Sequence, residues 1–378
     1  MLESLIHKLT PKFEELSQRS LQNILILVLC ILRKETVCLN KLKGTVGTIT
    51  GHTSVKPSSN YKRLIRIFRN HSFSSLWIKI ICVVLELLRL KTEYLTLDGT
   101  SWKRGSKWHH FLTLCIVYKQ VAIPIYWVNL NKQGISNIKE RKNLLKRALK
   151  RFNLKHKILL ADREYIGISW FKYLIDNEID FVIRLKSKAY KSAINKAEGR
   201  TLDEMIAKVK RSKIPNKSVK KAFELNGLKL YVIVIKNPKK NAKEDILFLI
   251  TNIDKPAASI AAMYPIRWSI EHCFKQLKSN GFQLEVLNLK GKARQNLMMA
   301  IVVFAYVLSV LEGLKQYAKI AIKKYKDGTS SKEVSVFRNG IDKLMVLCSN
   351  FDKFINYIVH IFEHNHKAYS YQNWSNVQ

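Results

Sequence analysis

The sequence predicts an α/β fold: a mixed sheet flanked by helices, interrupted by a β-rich insertion, with helical regions before and after it. Three observations predict it. Residues 1 to about 90 carry helix-length apolar runs, most clearly Leu21 to Leu32. From Glu93 the hydrophobic period shortens, and three strand-like runs follow in succession: Tyr94–Asp98, Trp108–Tyr118 and Ala122–Leu130. Beyond them, helix-length and strand-length segments alternate, the pattern of a layered sheet with helical crossovers.

In chain order, Pro11 suits the first turn of a helix. Ser58-Ser59-Asn60 offers N-caps to Tyr61–Arg69, in which Leu64, Ile65 and Phe68 turn inward and Lys62, Arg63, Arg66 and Arg69 outward. With the small polar stretch Thr50–Ser54 before it, this predicts a helical DNA-binding region over 1–90, of helix-turn-helix type, with Arg63 and Arg66 facing DNA. Lys119-Gln120 is the turn between the second and third strands. Residues 136–152 predict a basic helix, Lys157–Asp162 a short buried strand, 168–177 a helix and Phe181–Leu185 a strand. Together 91–185 and 246–290 form the predicted sheet domain. Lys-rich text with one good strand, Leu228–Ile235, predicts a β-rich insertion over 186–245. Ile246–Ile253 resumes the sheet, and Pro256–Met263 is a helix that Pro265 ends, kinks or follows with a new first turn. Residues 294–320 and 338–363 predict helices in a C-terminal region, 291–378.

Composition narrows the function. Lys plus Arg number 66 against 28 Asp plus Glu, a net charge of +38. Such an excess calls for an anionic partner, and nucleic acid fits best because phosphate contacts release counterions. The charge is spread along the chain and not gathered into a juxtamembrane cluster, which disfavours a membrane surface. The six cysteines form no Cys-x-x-Cys pair and fit reduced thiols of a cytoplasmic protein. No signal-peptide pattern is expected at the start, and Ile24–Leu32 is too short to span a bilayer.

Asp98 and Asp162 are each expected at the C-terminal end of a strand, where open α/β sheets place their ligands. The stretch Tyr264–Lys278, wound as one α-helix at about 100° per residue, puts Tyr264, Arg267, Glu271 and Lys278 within about 60° of each other, beside an apolar stripe of Ile266, Ile270, Cys273, Phe274 and Leu277. Two strand-end aspartates and a helical glutamate supply the hard oxygen donors that two-metal phosphoryl transfer requires.

The spacing of Tyr264, Arg267, Glu271 and Lys278 resembles the Tyr-Arg-Glu-Lys signature of the insertion-sequence-4 family of bacterial DDE transposases. Arg267-Trp268-x-Ile270-Glu271, Leu97-Asp98-Gly99-Thr100 and Ala161-Asp162-Arg163-Glu164-Tyr165 agree with that family's wording, in the family's order. The resemblance spans about residues 90–285. It implies a ribonuclease-H-like fold, with Asp98, Asp162 and Glu271 as catalytic ligands of two Mg²⁺, for which Mn²⁺ can substitute. It further implies that Arg267 and Lys278 hold transposon-end phosphates, that Tyr264 contacts the terminal phosphate, and that Arg163 lies in the DNA-binding set. Kinship implies cut-and-paste transposition through nicking, hairpin formation and opening, and joining of 3′ ends to target DNA. The partners it implies are double-stranded DNA (transposon ends and target) and a second copy of the chain, in a homodimeric synaptic complex within the bacterial cytoplasm, at the nucleoid. Relatives use a tryptophan in the insertion to stabilise a flipped base. None occurs between Trp170 and Trp268, leaving Phe223, Tyr231 and Phe248 as stacking candidates.

Two other functions stand beside transposition: a ribonuclease-H-like DNA nuclease that cuts without joining, and a transposase-derived, non-catalytic DNA-binding protein. His360, His364 and His366 have metal-like spacing but read as a solvated tail. Of His109-His110, in a strand, one ring at most faces any site.

Overall fold

The structure, a computed structural model, describes residues 9–14, 16–71, 75–88, 92–186, 189–214, 216–237, 244–315, 317–325 and 330–366. Among the described residues a 3-10 turn, Thr10–Lys12, comes first and four α-helices follow. α1 (Gln18–Lys34) is capped by Ser17, whose Oγ accepts the Ser20 N–H at 3.2 Å, and buries every residue from Ile24 to Leu32. α2 (Leu39–Thr50) ends at Gly51, which takes the left-handed conformation that closes a helix with no Cβ penalty (φ 75°). α3 (Pro57–His71) starts at Pro57, so Ser58, Ser59 and Asn60 lie inside its first turn and not in front of it. It buries Leu64, Ile67 and Phe68, with Ile65 half-buried. α4 (Leu76–Leu88) is apolar nearly throughout.

The sheet region follows. β1 (Tyr94–Arg104), β2 (Lys107–Tyr118) and β3 (Val121–Asn129) make a meander. Lys119 and Gln120 turn β2 into β3 with φ of 45° and 65°, both left-handed without glycine. α5 (Ile138–Leu149) opens with a capping box in which the Asn137 Oδ1 accepts the Glu140 N–H and the Glu140 carboxylate accepts the Asn137 N–H. β4 (Ile158–Ala161), α6 (Ile168–Asp176) and β5 (Asp180–Leu185) complete two parallel steps, β1 to β4 and β4 to β5. Next come α7 (Lys191–Lys196), α8 (Leu202–Arg211), β6 (Ser218–Leu225), β7 (Leu228–Lys236) and β8 (Ile246–Thr251). Among the described residues these strands form one eight-stranded mixed sheet, in the order β3-β2-β1-β4-β5-β8-β7-β6. Its first five strands, in spatial order 3-2-1-4-5 with β2 reversed, have the ribonuclease-H-like arrangement. The α/β fold class and the mixed sheet are as the sequence predicts.

Two elements differ from expectation. Strand β1 does not end at Asp98; hairpin pairing with β2 carries it on to Arg104, past the end of its other neighbour. The 186–245 segment is helical as well as stranded, and β6 and β7 extend the main sheet through antiparallel pairing with β8. Its lysine-rich text hides α8, which turns only Leu202, Met205 and Val209 inward.

α9 (Ala257–Met263) is followed by a 3-10 turn, Tyr264–Arg267, and then α10 (Trp268–Leu277). The continuous helix expected over Tyr264–Lys278 is thus tightened at its start. Pro265 has no N–H to give to an α-helical ladder and sits within that turn.

The last helices are α11 (Lys292–Leu314), α12 (Val336–Leu347) and α13 (Phe351–His366). The helix expected over 338–363 is two, because Asn350 caps a new start by accepting the Lys353 N–H at 2.9 Å. His360 is exposed on α13, and the side chains of His364 and His366 lie outside the described residues. α11 is long and apolar enough by length and composition to cross a membrane, yet 89% of its most apolar window is buried, against α4, α1 and α12. It crosses α12 at a glycine pair. A Cβ on Gly313 would stand 1.9 Å from the Val336 carbonyl oxygen, and one on Gly340 1.7 Å from that of Ser309. Only hydrogens fit there.

The chain divides into two compact units. The helical unit takes Met1–Lys91, Lys103–Gly105 and Cys273–Asn373, so the first helices and the last share one core. The sheet unit is built on Thr92–Trp102 and Ser106–His272.

Candidate active site

The parallel ladder between β1 and β4 ends at the pair Leu97↔Ala161. Asp98 and Asp162 are the next residue on each strand, and both emerge where that ladder stops. Leu95, Leu97, Leu159, Leu160 and Ala161 are buried and hold the strands in place. Behind Asp98, the Gly99 N–H donates to its Oδ1 at 2.8 Å. His110, from β2, lies against Gly99; a Cβ there would come within 2.6 Å of Nε2, so a larger residue requires the His110 ring to shift. Burial pushes the His110 pKa down, and neither ring nitrogen has a hydrogen-bond partner among the described residues. His109 points the other way and stacks on Trp102, with ring centroids 5.6 Å apart.

The 3-10 turn and α10 bring three more groups. Tyr264 buries its ring in the apolar cluster of Leu160, Val182, Ile233, Leu249 and Ile260, and its hydroxyl donates to Asp162 Oδ1 at 3.3 Å. Burial drives its pKa well above the ordinary phenol value, with Asp162 adding to the rise against Arg267, so it stays a neutral donor. Arg267 is almost wholly enclosed. Its Nη2 meets Glu271 Oε1 at 2.5 Å and its Nη1 lies 4.0 Å from Asp98 Oδ2. Burial opposes the guanidinium charge, but Tyr264, Glu271 and Asp162 more than offset that, and its pKa is raised. Arg267 also sits 5.8 Å from the ring centroids of both Tyr264 and the exposed Trp268.

Electrostatics single out Asp98. Burial pushes its pKa up to about 7, Glu164 and Glu271 add to the rise, and the Gly99 N–H and Arg267 oppose it. A carboxyl so placed is only about half ionised at neutral pH, and more positive charge than Arg267 supplies would be needed to hold it fully ionised. The donor set, carboxylates on three elements with one starved of compensating charge, fits a hard divalent cation in kind. Among the described residues no three His, Cys, Asp or Glu side chains are gathered tightly enough to form a metal cage, and the Arg267 guanidinium bridges Glu271 and Asp98.

Asp98, Asp162, Tyr264, Arg267 and Glu271 are therefore together. Lys278 belongs to the helical unit, where it meets Glu285 at 3.0 Å. Arg163 is half-exposed and pairs with Glu244 at 3.2 Å. Arg63 and Arg66 lie on α3 in the helical unit. The stacking candidates do not survive: Phe223, Tyr231 and Phe248 are at most 7% exposed, the last two on strands buried on both faces. Sequence reasoning passed over Arg184, whose Nη1 lies 3.9 Å from Asp162 while Nη2 meets Glu244 at 2.5 Å. Its signal was a charge inside an otherwise buried strand. Glu164, in the Ala161–Tyr165 stretch, is a further negative charge acting on Asp98.

The sequence profile of one family, described as the transposase DDE domain, matches residues 90–308, more than half of the chain. The chain belongs to that family. The transposase DDE domain match takes in every group at this site and the whole eight-stranded sheet, and leaves helices α1 to α4 outside. One solved structure similar to the chain is the cryo-EM structure of the piggyBac transposase synaptic complex with hairpin DNA. It is 13% identical, with 96% of this chain and 76% of that chain covered and a TM-score of 0.46. No curated protein matches.

Proposed function

We propose that this DDE transposase is of the insertion-sequence-4 type and carries out cut-and-paste transposition, hydrolysing DNA at transposon ends and joining the freed 3′ ends to target DNA. The observation that carries this reading is the meeting, past the last β1–β4 pair, of two strand aspartates with Tyr264, Arg267 and Glu271. Asp98, Asp162 and Glu271 would hold two divalent ions, Mg²⁺ or Mn²⁺. When bound, such ions supply an activated water or 3′-hydroxyl and neutralise charge on the departing oxygen.

The chain's own residues do the rest by position and charge. Arg267 is fixed between two carboxylates and presents a preorganised fork to a phosphate that enters beside Asp98. Tyr264, neutral and held by its buried ring, orients Asp162 through one donated bond. Lys278 and Arg163 supply point charge and fork for the DNA backbone, and Arg63 and Arg66, on α3, are further phosphate contacts. A homodimer pairing two transposon ends, at the bacterial nucleoid in the cytoplasm, completes the reading. With Phe223, Tyr231 and Phe248 buried, none of them is available to stack a flipped base.

The test is Glu271→Ala. It abolishes cleavage and strand transfer in Mg²⁺ while end binding persists; cleavage and joining that survive it overturn the assignment. Joining of a pre-cut 3′-hydroxyl end to plasmid by the wild-type chain separates a transposase from a nuclease that only cuts.

A further inference from the structure

Apart from the carboxylate site, the helical unit holds a polar cavity of about 900 Å³ between the start of α1, the end of α2, one face of α3 and the start of α13. Arg19, Arg63 and Arg66 line it, with His52 and His71, and Asp352 is its sole carboxylate among the described residues. Arg63 is half-buried, and its Nε donates to Asn23 Oδ1 at 2.6 Å, which fixes the plane of the guanidinium. Arg66 is braced through Nε by the Lys62 carbonyl at 3.3 Å. Two helices of 17 and 16 residues begin at the rim, capped by Ser17 and Asn350, and helix starts favour anions. Burial, then Arg19 and to a lesser degree Arg66, lower the Arg63 pKa against an opposing pull from Cys30: the cations crowd one another.

We propose that this cavity is a seat for the backbone phosphates of DNA. The inference rests on DNA being the partner, as proposed above, and adds where a second contact lies, away from the carboxylates. Guanidinium forks match phosphate oxygens in pairs. The lining is mostly polar, with Ile49, Ile67 and Phe351 as its apolar members, and a chain of net charge +38 favours a polyanion over a single small one. The seat draws on both chain ends, since α13 supplies Asn350 and Asp352 and α1 and α3 supply the arginines.

The full-length chain is titrated with a fluorescein-labelled duplex between 50 and 200 mM salt, as wild type, Arg19→Ala, Arg66→Ala and Asp352→Asn. Each arginine variant is expected to reduce the slope of log K against log salt by about one and to weaken binding several-fold. Asp352→Asn is expected to tighten binding by about two- to fivefold, the worth of one unit charge a few ångströms from phosphate in water, a gain that misfolding does not mimic. Unchanged slopes in variants that melt at the wild-type temperature overturn the seat and leave the DNA reading standing. A wild-type chain that binds no duplex overturns both. A melting shift with inorganic phosphate that Arg66→Ala removes, with duplex slopes unchanged, assigns the cavity to a free phosphate compound and overturns DNA as its occupant.

Discussion

Asp98→Asn tests the electrostatics of the site without invoking catalysis. In the folded chain burial moves the Asp98 carboxyl from its ordinary 3.8 to about 7, with Glu164 and Glu271 adding to the rise. Each pH unit of that displacement is worth about 1.4 kcal/mol, so ionised Asp98 costs the folded state at most about 4 kcal/mol. The side chain is 21% exposed, and solvent screening brings the expected cost to about 2–4 kcal/mol. The sign follows from the direction of the shift. A carboxyl whose folded pKa lies above its unfolded value is harmless below about pH 4, and its penalty grows as pH rises through about 7. Asparagine keeps an oxygen for the Gly99 N–H and carries no charge. At pH 8 in EDTA the variant is therefore expected to melt higher than wild type by about 3–5 °C, a gap that closes toward pH 4. Added Mg²⁺ is expected to raise the wild type and leave the variant unmoved. Calorimetric melts across that pH range measure it. A variant no more stable than wild type at pH 8, or a gap that does not narrow on acidification, refutes the reasoning.

Other substitutions probe separate features. Gly340→Ala forces a methyl against the Ser309 carbonyl at the α11–α12 crossing and is expected to cost more than about 3 kcal/mol in a urea melt, beyond ordinary overpacking. Lys119→Asn with Gln120→Gly matches both left-handed positions of the β2–β3 turn, and about 1–2 kcal/mol of added stability is expected; a loss would show that Lys119 or Gln120 makes a needed contact. Glu244→Gln releases Arg163 and Arg184, which it holds at 3.2 and 2.5 Å, and duplex affinity is expected to rise about two- to threefold with a steeper salt slope, read by polarisation. In the same assay Glu271→Ala is expected to bind like wild type while its cleavage is lost.

Local order was written in the residues. Strand alternation and runs of buried apolar residues gave away β1 to β5, and the basic run over 136–152 gave away α5, Ile138–Leu149. The spacing of Arg267 and Glu271 determined that they share a face, because one helical turn separates positions four apart, and the structure closes them at 2.5 Å. Tyr264 was harder: its 3-10 turn rotates it off the α-helical wheel, and what takes it to Asp162 is the cluster that buries its ring. The continuation of β1 past Asp98 was invisible because a strand's length is set by its neighbours, here β2, and not by its own period.

By itself the sequence determined the alternation that makes a mixed sheet, the acidic and basic groups that face one another on it, and the need for an anionic partner. Those properties are local or additive, so each residue carries its share of them. Only the tertiary structure decided that Arg184 stands between Asp162 and Glu244, and that α13 returns to complete a basic cavity with α1 and α3. Such contacts join positions far apart in the chain. They exist because buried apolar surface is gained only when those distant segments pack, and no local pattern records which segment will arrive.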